Sequence, residues 1–277
     1  MKSRIRFGLA NTNEKDAAGR DERPAALRGE DMEENKRKNR RKRGWLIAAA
    51  LLGLLAAAFA VWAAGYYRAD DKALAALAPG GTVSVARTDY GWLFDGPGTD
   101  AALIFYPGAR VEETAYAPLL RRLAEKGTDV CLLRAPLHLA FFDMDRAESV
   151  RREYDYARCY VGGHSLGGAC AAICASRHPG DFAGVVLLAA YPTKTLDADM
   201  TELTLYGTED GVLDRARLEE GRRYAPDRSA ELVIEGGNHA QFGSYGRQRG
   251  DGEAAIPPEE QWAQAADFIA AELDRAA

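Results

Sequence analysis

Cysteine and histidine are scarce in this chain, four of each among 277 residues. Cys131, Cys159, Cys170 and Cys174 form neither a CxxC pair nor any metal-ligand spacing. Two fall in apolar strand-like runs and two sit four apart in a helical stretch. They read as small buried hydrophobes, not as disulfides or a thiol nucleophile. No metal or cofactor is expected. No internal repeat is visible. Charged residues are missing altogether between Leu46 and Ala64. That gap has the roughly 20-residue length needed to cross a hydrocarbon core.

The net charge of −5 conceals an asymmetry. Residues 1–43 carry 14 Lys/Arg against 8 Asp/Glu, and the remainder 22 against 33. A globular part this acidic makes nucleic acid a poor partner. Residues 1–43 read as a disordered basic tail, within which Met32 opens a second plausible start and leaves residues 1–31 dispensable. Lys36–Arg43 holds seven basic residues directly ahead of the apolar run. Trp45 lies at one end of that run and Trp62, Tyr66 and Tyr67 at the other, as interfacial aromatics do. Residues 44–67 therefore read as a transmembrane signal anchor, contacting the membrane through 46–64. The positive-inside rule puts the N-terminus in the cytoplasm and the rest outside the cell. Cleavage after Ala60 or Ala63, giving a secreted protein, is the alternative.

Residues 68–80 read as a linker ending in Pro79-Gly80-Gly81, and residues 81–277 as a catalytic domain. Strands are predicted at 82–86, 90–94, 101–106, 129–133, 159–163, 184–190, 202–206 and 230–234. Between them, 114–126 has helical spacing in Ala115, Tyr116, Leu119, Leu120 and Leu123, 166–178 forms a second helix, and 259–273 is an amphipathic final one. Continuous apolar strands separated by helices imply an α/β fold: eight strands, mostly parallel, with helices on both faces.

Gly163-His164-Ser165-Leu166-Gly167 sits where strand gives way to helix, and fits a nucleophile elbow. The serine at the apex needs a strained backbone, so the residues two away must lack side chains. A nucleophilic serine needs a base, and the base an orienting carboxylate, both on loops after later strands. His239, in Gly237-Asn238-His239-Ala240, follows the last strand and is the candidate base. His138 precedes the nucleophile, His164 is the elbow's variable position, and His178 ends a helix. Asp210, in Gly207-Thr208-Glu209-Asp210-Gly211, is the candidate acid, with Glu209 and Asp214 as fallbacks. The oxyanion hole draws on the backbone N–H of Leu166 and of Ala109, on the loop after residues 101–106.

Gly-His-Ser-Leu-Gly-Gly, Tyr-Gly-Thr-Glu-Asp-Gly and Gly-Asn-His-Ala-Gln-Phe-Gly, in that order, resemble the α/β-hydrolase superfamily. Tyr106-Pro107-Gly108-Ala109-Arg110-Val111 resembles the oxyanion loop of its small, lidless, dienelactone-hydrolase-like bacterial members. The resemblance covers about residues 80–277 and implies nucleophile, acid and base roles for Ser165, Asp210 and His239. Dienelactone hydrolases use cysteine; serine here points to general ester chemistry on a small-molecule ester or lipid. Barely a dozen residues separate Ala190 from Glu202, room for a loop but no cap domain. Walls are expected from Pro136–Phe142 and Phe242–Ile256, with Leu139, Phe141, Phe142 and Phe242 as candidate pocket residues. The function expected is a membrane-anchored serine esterase. The alternatives are an acyltransferase using the same triad and a non-catalytic binding module on this fold.

Overall fold

The computed structural model describes residues 25–98 and 100–275. The chain divides into two units, Met1–Ala58 and Phe59–Ala277.

Helix α1, Ala25–Ala64, runs for 40 residues. Its N-terminal half corrects the expected tail: residues 25–43 are helical, while residues 1–24 lie outside the described residues. The reason is local. The stretch contains no proline, is rich in Glu, Lys and Arg, and pairs Glu34 with Lys38 one turn on at 2.7 Å. The apolar residues that follow continue the helix, so its costly nucleus need form only once. Leu46, Leu51, Leu52, Leu54 and Leu55 are all more than half exposed. This helix is thus not a core helix, and by length and composition it is long and apolar enough to cross a membrane.

In the second unit the expected linker is folded. Asp70 caps α2, Asp71–Ala75, by accepting the Ala73 N–H at 3.0 Å. It also accepts the Ser244 hydroxyl at 2.8 Å and donates its own N–H to the Ser244 carbonyl at 2.9 Å. A capping aspartate with a buried alanine after it is too short a signal to rise above linker composition.

Eight strands form one sheet: β1 Ser84–Arg87, β2 Gly91–Asp95, β3 Ala101–Tyr106, β4 Asp129–Leu133, β5 Arg158–His164, β6 Gly184–Leu188, β7 Thr201–Gly207 and β8 Arg228–Ile234. Their spatial order is β1-β2-β4-β3-β5-β6-β7-β8. β1 and β2 pair antiparallel, as do β2 and β4, and every later pair is parallel. All residues of β3, β4, β6 and β7 are buried, as both-sided coverage requires. α3 (Ala117–Glu125) and α7 (Pro258–Arg275) cover one face, through Leu119, Leu120, Leu123, Trp262 and Ile269. α4 (Arg146–Arg151) and α5 (Leu166–Arg177) cover the other with Val150, Cys170 and Cys174. α6, Arg215–Gly221, completes the set. Neither α4 nor α6 was legible in the sequence, because six or seven residues hold too few apolar positions to show a period. The four cysteines are free and buried, and burial pushes the thiols of Cys131, Cys159 and Cys174 up to about 12.

Leu123 is completely buried in the α3–α7 face. Leu123→Ala should therefore cost ~2–5 kcal/mol, read as a lower urea midpoint of the full chain at unchanged slope.

Candidate active site

β5 delivers the chain to Ser165, and α5 begins at the next residue. Ser165 has φ 54° and ψ −122°, a conformation costing a non-glycine residue ~1–3 kcal/mol. Two backbone bonds hold it there. Ser165 donates its N–H to the Leu188 carbonyl at 2.9 Å, and its own carbonyl accepts the Ala169 N–H at 3.1 Å. The flanking glycines are demanded by contact. A Cβ on Gly163 would lie 2.6 Å from the Tyr106 carbonyl oxygen, and one on Gly167 would lie 2.4 Å from those of Tyr106 and Pro107.

Asp210, after β7, and His239, after β8, meet through Oδ2 and Nδ1 at 2.9 Å, both side chains almost fully buried. The second Asp210 oxygen accepts the N–H groups of Val212 at 2.9 Å and Leu213 at 2.7 Å. Burial raises the Asp210 pKa, but the hydrogen bond and charge of His239 and those two N–H groups outweigh it. The net direction is below the ordinary carboxylate value. An ionised Asp210 holds the His239 proton on Nδ1 and leaves Nε2 as the basic nitrogen. Nε2 is buried and has no hydrogen-bond partner among the described residues. Ser165 Oγ accordingly makes no hydrogen bond to it. Glu209 is exposed, and Asp214 caps α6 by accepting the Arg217 N–H at 3.0 Å. Of the three candidate acids, only Asp210 reaches His239.

On the loop after β3, Gly108 donates its N–H to Tyr116 Oη at 3.0 Å, and Arg110 donates its N–H to the His138 carbonyl at 2.7 Å. Ala109 lies between them with no acceptor for its N–H among the described residues. Leu166, as the first residue of α5, has no intrahelical acceptor either. One backbone donor next to the serine in sequence and one on the loop after β3 thus lack a partner among the described residues.

The four candidate pocket residues separate. Leu139 and Phe242 are buried, whereas Phe141 and Phe142 are more than two-fifths exposed. His138 stacks on Tyr66 at 3.8 Å, and His178 ends α5 with Nε2 3.3 Å from Asp145. His164 is the consequential one. Its ring is buried 4.4 Å from that of His239, and its Nδ1 lies 2.8 Å from Tyr116 Oη. Burial, and then the charge of His239, hold the His164 imidazole well below its usual value. A neutral His164 accepts the Tyr116 O–H, so one hydrogen-bonded chain runs from Gly108 through Tyr116 to His164.

Asp251 is a second group that the sequence did not point to. Its Oδ1 accepts the N–H of Gly211 at 3.2 Å and of His239 at 3.2 Å, and its Oδ2 that of Ala240 at 2.8 Å. One carboxylate therefore ties the loop of Asp210 to the loop of His239. Its only sequence signal was an aspartate between two glycines, which a turn explains equally well.

A serine in a strained strand-to-helix turn and a buried Asp–His pair after later strands, on a sheet of this order, are the arrangement of the α/β-hydrolase type of fold. The model of the α/β-hydrolase family matches residues 102–263, and the chain belongs to that family. A protein of Mycobacterium phage D29, named as a candidate non-heme haloperoxidase, is 36% identical over 103 residues. The match covers 34% of this chain and 37% of that protein, so the chain spans little more than a third of that relative. Among solved structures, a bacterial membrane phospholipase A aligns over 85% of this chain and 99% of its own, at TM-score 0.53 and 14% identity. The dienelactone hydrolase of Anabaena variabilis aligns over 70% and 99%, at 0.51 and 12%. TT1662 of Thermus thermophilus aligns over 70% and 98%, at 0.50 and 17%. At such identities these likenesses speak for the fold.

Two tests follow from the geometry. The unfolded chain gains a proton at His164 below its ordinary value of 6.5 and the folded chain does not. Stability must then fall as pH drops through that value, by up to about 1.4 kcal/mol per pH unit. His164→Gln should flatten that slope, measured as urea midpoints between about pH 7.5 and 5.5. Asp251→Ala should slow fluorophosphonate modification of Ser165 by roughly ten- to a hundredfold. Asp251→Asn, which keeps one acceptor oxygen, should recover part of the rate.

Proposed function

We propose that the chain is a membrane-anchored serine hydrolase that cleaves a carboxylic ester, with its catalytic domain outside the cell. The observation that carries this reading is the free, buried Nε2 of His239, oriented by an ionised Asp210, behind a serine in the elbow conformation. Ser165 Oγ attacks the carbonyl carbon as His239 Nε2 takes its proton. The oxyanion of the tetrahedral intermediate is held by the N–H groups of Ala109 and Leu166. His239 returns the proton to the leaving alcohol as the C–O bond breaks, leaving an acyl-serine. Water, giving its proton to His239, then releases the acid and restores Ser165. Asp210 stabilises the imidazolium in both steps. The anchor is the uncharged run from Leu46 to Ala64, and the seven basic residues of Lys36–Arg43 keep its N-terminal end in the cytoplasm.

The reading is tested on the full chain in detergent. A fluorophosphonate should form its adduct on Ser165, located by mass spectrometry, and Ser165→Ala should abolish both labelling and p-nitrophenyl acetate hydrolysis. Asp210→Asn should lower turnover by roughly 10⁴-fold. An adduct on another residue, or turnover surviving in Ser165→Ala, overturns the assignment.

A further inference from the structure

The catalytic unit shows few large apolar side chains to solvent. From Gly65 onward the exposed ones, among the described residues, are Leu74, Leu137, Phe141, Phe142, Val212 and Val233. Three of the six fall within six residues of sequence, on the loop after β4. Leu137 is 54% exposed, Phe141 42% and Phe142 49%, and the two phenylalanine rings lie 4.2 Å apart. Single exposed apolar residues need no explanation, but a cluster does. This one is also built at a cost, since Leu137 and His138 both hold positive φ, 53° and 56°.

The loop is tied to two places at once. Its His138 carbonyl accepts the Arg110 N–H, one residue after the candidate oxyanion donor Ala109. On the other side, His138 is stacked by Tyr66, which stands two residues after the apolar run. Tyr67 donates its N–H to the Arg110 carbonyl at 2.7 Å, and its own carbonyl accepts the Glu112 N–H at 2.9 Å. Arg110 in turn donates to the Gly65 carbonyl, and Phe59 meets Phe142 edge-on at 6.2 Å. No slack chain separates the end of the apolar run from the oxyanion loop. Wherever residues 59–65 leave the bilayer, the exposed cluster and the mouth of the site stand beside it.

We propose that Leu137, Phe141 and Phe142 form a membrane-contact surface seated in the bilayer's interfacial region, and that the ester reaching Ser165 is one borne by that bilayer. The inference rests on the anchored-hydrolase reading and names its substrate class. The occupant is the lipid surface, not a second protein, because the cluster is continuous with the chain emerging from the apolar run. Aromatic and aliphatic side chains together at the loop tip suit the headgroup–acyl boundary.

The test uses the full chain reconstituted in phosphatidylcholine vesicles. Leu137→Cys and Phe141→Cys would each carry an environment-sensitive NBD label, with Val212→Cys as the aqueous comparison. The expected result is blue-shifted emission at 137 and 141, quenched by doxyl-labelled lipid, and water-like emission at 212. Water-like emission at all three positions overturns the contact. So does a blue shift that doxyl lipid fails to quench, which would assign the surface to a second protein copy. Leu137→Ser with Phe141→Ser should lower the ratio of vesicle-borne oleoyl ester hydrolysis to p-nitrophenyl acetate hydrolysis at least tenfold. An unchanged ratio overturns the substrate class. Fluorophosphonate labelling of Ser165 in the same vesicles separates the two ideas. Labelling without lipid contact leaves the hydrolase standing and removes the surface, and contact without labelling does the reverse.

Discussion

The contact on which the rest depends is one of backbone against backbone, where the end of β3 meets the turn from β5 into α5. A methyl group at Gly163 or Gly167 would overlap the carbonyls of Tyr106 and Pro107. That closeness sets the placement of everything around the serine. Because β3 and β5 are neighbours, the loop carrying Ala109 must leave the sheet beside Ser165. Because β6, β7 and β8 follow in order on the other side, the loops carrying Asp210 and His239 approach from there. Parallel pairing puts all of these loops at the same edge, the carboxyl ends of the strands, where open α/β sheets collect their chemistry. The ~1–3 kcal/mol of strain at Ser165 is sustained by the bonds to Leu188 and Ala169 and by the packed helix behind it.

Electrostatics imposes a second constraint. Two imidazoles stand 4.4 Å apart in a buried setting, where a pair of like charges is unfavourable. If His239 is to take up a proton, as the candidate base would, its neighbour must stay neutral. His164 meets that condition, and it does so while accepting a hydrogen bond from Tyr116. Tyr116 meanwhile takes up the Gly108 N–H and so leaves Ala109 as the donor with nothing to bind. The residue that keeps the second histidine in place is therefore also the one that holds the loop after β3. Packing, proton placement and the donor pair are aspects of one buried cluster.

What could be read from the sequence followed from patterns that local physics enforces. Buried parallel strands demand continuous apolar runs, which made β3 to β7 visible, and all eight expected strands lie within two residues of the observed bounds. The elbow was visible because close approach requires glycine at fixed spacing. Asp210 and His239 were singled out by chain order after the elbow, although nothing in either loop guarantees that they touch. The misses have a common cause. Tyr116, His164 and Asp251 act through contacts between segments far apart in sequence, and each has an equally good local explanation: core aromatic, variable elbow position, turn aspartate. Residues 25–43 misled for the opposite reason. Their composition suits a solvated tail, yet the same Glu, Lys and Arg residues are good helix formers once an adjoining apolar segment supplies the nucleus.

The stretch at 68–80, whose composition suits a linker, is folded as part of the second unit. A flexible spacer would leave residues 66–70 without fixed partners. Instead Tyr67 is hydrogen-bonded on both sides to the strand-like stretch at Arg110–Glu112, and Asp70 is pinned to Ser244 just beyond the base loop. One end of this short segment thus supports the loop after β3 and the other the stretch just after His239. Displacing it would loosen both halves of the site together, without touching a residue that meets substrate. Residues 66–70 thus belong with the second unit, whether or not the apolar run before them is retained.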